Sequence, residues 1–218
     1  MLEIIKPTCL RCYNIPIKMN ALNQNTLFPI FLKCSQLEIL VVGGGYVAAE
    51  KLHFLTKSSP DARITLVAPM VREGTDTILR QFHINRVKDT YQPKHLNAKH
   101  LVIVATDRPE VNETVYRDCR SRGILVNVAD NPPLCDFYMG GIVTKGHVKL
   151  AISTNGKSPT TAKRLREFFE SILPDDISKL VENLNRYRDT LKGDFDSKVR
   201  EMNRVTDKLV ASKQNINS

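Results

Sequence analysis

Gly43-Gly44-Gly45-Tyr46-Val47-Ala48 is the stretch whose residue types and spacing point most directly to chemistry. Gly43, Gly45 and Ala48 fit the pattern GxGxxG/A. One glycine makes a tight turn, the next lets the backbone approach a pyrophosphate, and the small last position lets helix and strand pack closely. A helix beginning there offers unpaired amide donors and a partial positive charge to phosphate oxygens. The alternative is a glycine turn that only joins strand to helix. The acid that usually closes the second strand of such a unit is absent, because that end reads Val67-Ala68-Pro69-Met70. Either backbone groups hold the ribose, or the turn is not a dinucleotide site. Arg72 lies close by and could favour a 2′-phosphate. It could equally be a solvated surface arginine, so NAD and NADP are not separated by these residues.

A second feature is the stretch from Thr144 to Arg166. It holds Lys145, Lys149, Lys157, Lys163, Arg164 and Arg166 and no acid, whereas the segment after Pro174 is nearly balanced. Such a patch attracts anions: nucleic acid, a phosphate or a polycarboxylate. No zinc-finger or basic-zipper pattern and no interleaved aromatic residues accompany it, so nucleic acid ranks second. Any single one of these side chains could simply solvate a helix. The five cysteines (Cys9, Cys12, Cys34, Cys119, Cys135) are odd in number and irregular in spacing, which is no disulfide framework. Cys9 and Cys12 form a lone CxxC without the second pair a zinc site needs. His147 has no partner at ligand spacing and is left unassigned, so the metal ligands are unknown. Cys135 reads as a small buried thiol.

These residues need positioning elements. Leu37–Val42 is a short aliphatic run stopped by the glycines, a buried parallel strand. Tyr46 to Lys57 follows with Val47, Ala48, Leu52 and Leu55 at helical spacing. Strands over Ile64–Val67, His83–Lys88, Leu101–Ala105 and Ile124–Val128 alternate with a helical stretch running to about Phe82 and a helix over Pro109–Arg122, with Asp107 as its candidate cap. That alternation implies a doubly wound parallel sheet. After Asp130 the texture changes. Tyr138–Thr144 and Val148–Ser153 read as a hairpin around Lys145-Gly146-His147. Ser158-Pro159 opens a helix over Thr160–Leu173. An amphipathic helical segment then runs to about Ala211, divided at Gly193, with Leu180, Leu184, Tyr187 and Leu191 on one face. The fold expected is α/β: a Rossmann-type parallel sheet over 26–130, a small α+β dimerisation region over 131–173 and a C-terminal helical region over 174–218. Residues 1–25 are expected to form a flexible extension, and 1–18 could be an upstream extension of the reading frame before Met19. The tail SKQNINS is expected to fray.

The chain has 218 residues, 42% of them hydrophobic and 25% charged, with a net charge of +9. That composition suits a packed core. No apolar run approaches the ~20 residues of a membrane helix, and the first residues lack the apolar centre of a secretory signal. The expectation is a cytoplasmic protein with no membrane and no nucleic-acid partner.

Several separated motifs agree in order: LFPIFLK, LEILVVGGGYVAAEK, ITLVAP, LVIVATDRPEVN, ILVNVADNPPLCDFYMGGIV and LAISTNGKSPTTAKRLRE. Together they resemble the family of precorrin-2 dehydrogenase/sirohydrochlorin ferrochelatases, the dehydrogenase–chelatase portion of siroheme synthase. The resemblance runs from about Thr26 to Pro174. It looks like the short form, without the C-terminal methyltransferase domain of longer members. It implies oxidation of precorrin-2 to sirohydrochlorin with NAD⁺ as hydride acceptor, then insertion of Fe²⁺ to give siroheme, by a homodimer with sites near its interface. It implies that Gly43, Gly45, Tyr46 and Val47 hold the pyrophosphate. Ala68, Pro69 and Met70 then form a second-strand end that lacks the acid in the family too. Thr106 and Asp107 line the nicotinamide side.

The resemblance also makes Asp130 the aspartate implicated in both reactions, and Ser153 and Thr154 the hydroxyl pair of a substrate loop. A carboxylate at the end of a strand could take protons as a general base. Read locally, Asp130 in Asp-Asn-Pro could only cap a turn. Asn155 stands where a glycine is common, and Asn tolerates the left-handed backbone better than most residues. The acetate and propionate arms of precorrin-2 supply a partner for the basic stretch, with Lys157 and Arg164 among its contacts. Two alternatives stay open: a dehydrogenase without chelatase activity, and a catalytically silent NAD-binding module.

Overall fold

The computed structural model describes residues 25–207. The CxxC of Cys9 and Cys12, the expected extension up to residue 24 and the tail from residue 208 lie outside the described residues. Five parallel strands, β1 (Glu38–Val42), β2 (Arg63–Val67), β3 (Asn85–Val87), β4 (Leu101–Val104) and β5 (Leu125–Val128), form one sheet in the order β3-β2-β1-β4-β5. Helices α1 (Tyr46–Ser58), α2 (Glu73–Gln81) and α3 (Pro109–Ser121) connect them.

The alternation of side chains along each strand splits the core into two layers. Ile39 and Val41 of β1, with Ile64, Leu66, Leu101 and Ile103, meet Ala48, Leu52 and Leu55 of α1 and Leu79 of α2. Leu40 and Val42 point the other way, with Val102, Val104, Val126 and Val128, onto Val115 and Cys119 of α3 and onto Leu96. Strands buried on both faces have to be continuous apolar runs, as β1 and β4 are. Winding therefore reverses between β1 and β4, the switch point where doubly wound sheets open a crevice.

The second part is a hairpin of β6 (Gly141–Lys145) and β7 (Val148–Ile152), followed by α4 (Pro159–Ile172), α5 (Ile177–Thr190) and α6 (Phe195–Thr206). The Ser158 hydroxyl caps α4 by accepting from Thr161 N at 3.2 Å, with Pro159 in the first turn. Gly193, at φ +112°, divides α5 from α6. None of α4, α5 and α6 buries a residue.

Several boundaries differ from expectation. β3 is only three residues long, because His83 turns at φ +51° before it. Residues 138–140 stay outside β6. Asp107 does not cap α3: the cap position is Arg108, without a side-chain cap, and Thr106 Oγ1 instead accepts from Arg108 N at 3.2 Å. The sequence also gave no warning of how the outer edge of β5 is covered. Asn127, nearly fully buried, donates to Phe137 O at 2.8 Å and bridges to Cys135, so the chain after the Asn131 turn doubles back along β5.

Candidate active site

The glycine loop leaves β1 at the switch point. Gly43 has φ +118°, and a Cβ there would collide with the Ala105 carbonyl. Gly44 is held as tightly, since its Cβ would strike Met70 O. Gly45 differs: a Cβ built on it meets nothing within 4 Å. Its missing side chain leaves space above the loop rather than relieving internal crowding, which is what a closely approaching phosphate requires. Gly45 occupies the cap position of α1 with no side-chain cap, and no acid lies in the first turn. The leading amides of α1 therefore remain available to an anion. The fit to a pyrophosphate rests on that open position and those amides.

The loop is fastened from below. Thr75, fully buried on α2, donates its hydroxyl to Gly44 O at 3.1 Å and to Gly45 O at 3.2 Å. Arg72 N donates to the same Gly44 O at 2.9 Å. The sequence reading missed both Thr75 and the demand on Gly44, because their partners are distant in the chain.

The remaining candidates fall at the ends of neighbouring strands. Ala68, buried, and Pro69 and Met70, exposed, follow β2. Thr106 follows β4 and is tied to α3: its Oγ1 donates to Asn112 Oδ1 at 2.5 Å, and Asn112 Nδ2 donates back to Thr106 O at 3.1 Å. Asp107 is exposed beside it. Asp130 follows β5 with φ +59°, a backbone state rare outside glycine, and its side chain is exposed. The turn there is closed by backbone, Asn131 N donating to Val128 O at 3.2 Å. Among the described residues the Asp130 carboxylate makes no hydrogen bond, so it is not a turn cap. Aspartate tolerates this conformation better than most residues, though at some strain.

The substrate-loop candidates lie on the second part. Ser153 Oγ accepts from Asn155 N at 3.1 Å, and Thr154 Oγ1 donates to Ser158 O at 3.1 Å. Asn155 takes φ +54° and Gly156 φ +71°. The left-handed state anticipated for Asn155 is present.

The basic stretch is less available than its composition suggested. Lys145 Nζ binds Leu173 O at 2.7 Å and Asp175 at 2.6 Å. Lys149 Nζ binds Ser58 O at 2.6 Å. Arg164 pairs with Glu167 at 2.8 Å, and Arg166 pairs with Glu170. Lys157 and Lys163 make no ion pair among the described residues. His147 bonds Glu182 at 3.1 Å and so ties the hairpin to α5. No group of three or more His, Cys, Asp or Glu able to hold a metal occurs among the described residues. Cys135 donates to Val128 O at 3.2 Å, and burial pushes its thiol pKa up. The raised pKa disfavours the thiolate that would bind a metal, but the side chain is half-buried rather than buried as expected.

A doubly wound parallel sheet with an open glycine loop at its switch point is a Rossmann-type dinucleotide-binding fold. Comparison with known proteins narrows the class. The NAD(P)-binding family model matches residues 30–141, about half of the chain, and the model for the sirohaem biosynthesis protein central segment matches 145–172. The siroheme synthase of Pseudoalteromonas atlantica is 37% identical over 170 residues, 78% of this chain and 36% of that protein. That of Nitrosomonas europaea is 38% identical over 168 residues, 77% of this chain and 35% of that protein. The chain thus spans about a third of the length of the curated relatives it matches. Among solved structures, the precorrin-2 dehydrogenase SirC is alike in fold, with a TM-score of 0.69 and 21% identity over 86% of this chain and 93% of that one. The chain belongs to the precorrin-2 dehydrogenase/sirohydrochlorin ferrochelatase family, the dehydrogenase–chelatase portion of siroheme synthase.

Proposed function

We propose that this protein oxidises precorrin-2 to sirohydrochlorin with NAD⁺ and then inserts Fe²⁺ to give siroheme. The observation that carries the reading is an open glycine loop just after β1 and a carboxylate, Asp130, just after β5, two strands away in the same sheet and without a hydrogen-bond partner among the described residues. When bound, the nicotinamide supplies the hydride acceptor. Gly43, Gly45, Tyr46 and Val47 receive the pyrophosphate through backbone donors. Ala68, Pro69 and Met70 border the ribose. Thr106, locked to Asn112, and Asp107 border the nicotinamide end. Asp130 takes the proton released as the tetrapyrrole loses a hydride, so precorrin-2 and NAD⁺ give sirohydrochlorin, NADH and one proton. A carboxylate with no partner among the described residues is free to accept it.

For iron, the macrocycle's own pyrrole nitrogens are the ligands. Asp130, exposed to solvent, has only to take the two protons they release one at a time, passing the first to water before the second leaves, and a resident metal cluster is not required. Ser153, Thr154, Lys157 and Arg164 meet the carboxylate arms. Arg164 would exchange its exposed contact with Glu167, which is worth little by itself. We assign 26–130 to the nucleotide, 131–173 to substrate and dimer contacts, and 174–218 to the helical region. A second copy of the chain covers the apolar side chains left open on α4 to α6, among them Phe168, Ile172, Leu180 and Val181. Cys34, Cys119 and Cys135 are free thiols, in keeping with a cytoplasmic site.

Anaerobic turnover of precorrin-2 with NAD⁺, followed at the absorbance of NADH, tests the dehydrogenase. Fe²⁺ added in a second stage tests the chelatase. No NADH from folded, NAD-binding protein overturns the reading. NADH without siroheme leaves a dehydrogenase alone.

A further inference from the structure

Two guanidinium groups lie beside the segment after β2 that the dinucleotide reading gives to the ribose, and neither pairs with a carboxylate among the described residues. Arg72 stacks over the ring of Tyr46, the first residue of α1, at 4.2 Å from the centroid. Stacking fixes a guanidinium in place while leaving its edge donors for an anion. Arg86, half-buried on β3, donates Nη2 to Pro69 O at 3.1 Å. Its Nε is enclosed and has no hydrogen-bond partner among the described residues. A partly buried guanidinium ordinarily finds a carboxylate. Neither arginine has one within ion-pair distance among the described residues, whereas the other two arginines between β1 and β3, Arg63 and Arg80, pair with Glu38 and Asp76.

Both arginines bear on one short segment. Arg86 binds the Pro69 carbonyl, and the backbone of Arg72 is pinned to Gly44, at the foot of the phosphate loop. Residues 67–72 read Val-Ala-Pro-Met-Val-Arg, with no acid to accept from ribose hydroxyls or to repel a phosphate there. In this fold the residue beyond the second strand decides the cofactor: a carboxylate accepts from the 2′-hydroxyl, and an arginine accommodates a 2′-phosphate. We propose that Arg72 and Arg86 form a subsite for the 2′-phosphate of NADP, so that the crevice takes NADP⁺ as well as NAD⁺. This rests on the dinucleotide reading above and concerns only its ribose end.

Isothermal titration of the full chain with NAD⁺ and with NADP⁺ tests it. NADP⁺ is expected to bind with a Kd within about tenfold of that for NAD⁺ or below it. Arg72→Ala is expected to raise the Kd for NADP⁺ by about tenfold, the loss of one charge-assisted contact, and to leave that for NAD⁺ within about twofold. Arg86→Gln should act in the same direction. If it does not fold, the exposed Arg72 decides alone. Binding of NAD⁺ with rejection of NADP⁺, or an equal loss of both dinucleotides in Arg72→Ala, overturns the subsite and leaves the dinucleotide reading intact. Binding of neither by folded protein overturns both.

Discussion

The hydroxyl of Thr75 donates to the carbonyl of Gly44 at 3.1 Å, reaching from α2 across to the turn that follows β1. The same hydrogen serves Gly45 O at 3.2 Å. A buried side chain thus orients both peptide units that precede the open amides of α1. Thr75→Val keeps the shape and removes the donor. It should raise the Kd for NAD⁺ roughly tenfold, by loss of about one buried hydrogen bond. Thr75→Ser should restore it. An unchanged Kd in Thr75→Val, measured by titration calorimetry, would show that crowding alone holds the loop.

Gly44 and Gly45 should separate stability from binding. Gly44→Ala drives a methyl group into Met70 O and should cost about 1–3 kcal/mol by overpacking, visible as a lowered Tm. Gly45→Ala meets no protein atom within 4 Å at an ordinary φ of −85°, so its Tm should stay close to wild type. Its methyl group would stand where the proposed pyrophosphate approaches, so NAD⁺ affinity should fall. Thermal melts with and without NAD⁺ distinguish the two.

Asp130→Asn suits the left-handed backbone as well as aspartate does, and should fold and bind NAD⁺ normally. Loss of a general base typically costs ~10²–10⁴ in rate. A fall of that order in NADH formation, with the circular dichroism spectrum unchanged, is expected. Wild-type turnover by Asp130→Asn would remove this residue from the mechanism.

Asn155 is a positional test of the substrate loop. Asn155→Gly should be neutral or mildly stabilising, whereas Asn155→Val forces a branched side chain to φ +54° and should cost at least ~1–2 kcal/mol. If Ser153 and Thr154 meet substrate, Asn155→Val should also raise KM for precorrin-2 more than it lowers kcat.

Thiol chemistry offers a pH readout. Burial raises the pKa of Cys135, and raises that of Cys119 to about 12. The thiolate is the reactive form, so a raised pKa means less reaction at neutral pH. Iodoacetamide at pH 8 should leave both unmodified in folded protein and label them after unfolding, as mass spectrometry would report. Fast labelling of native Cys119, which is fully buried, would contradict its burial, and fast labelling of the half-buried Cys135 would contradict its raised pKa.

β1, β2, β4 and β5 were legible because each is a short, largely aliphatic run ended by glycine, proline or a turn, and the two-layer core follows from their alternation; β3, Asn-Arg-Val, carries no such signal and was read too long. What escaped was whatever depends on partners far along the chain. Thr75 looks like any polar residue in a helix until Gly44 is placed above it. Asp107, adjacent to a helix start, invited a capping role that Thr106 fulfils through Arg108 and Asn112. Lys149 belonged to a run of charge in sequence, yet in space it holds the end of α1 through Ser58. A local pattern reports which residues are charged. It does not report which of them already have a partner.

The left-handed turn at Asp130 bears on how such a protein would decay over generations. The residues that enter this conformation most readily are glycine, asparagine and aspartate. Asparagine and glycine are each a single base change from aspartate, and neither carries an acid. The substitutions the backbone accepts most easily at this position are therefore those that remove the carboxylate on which the proposed mechanism relies. If Asp130 carries the proposed proton transfers, a lineage released from selection would reach a folded but inactive descendant in one mutational step.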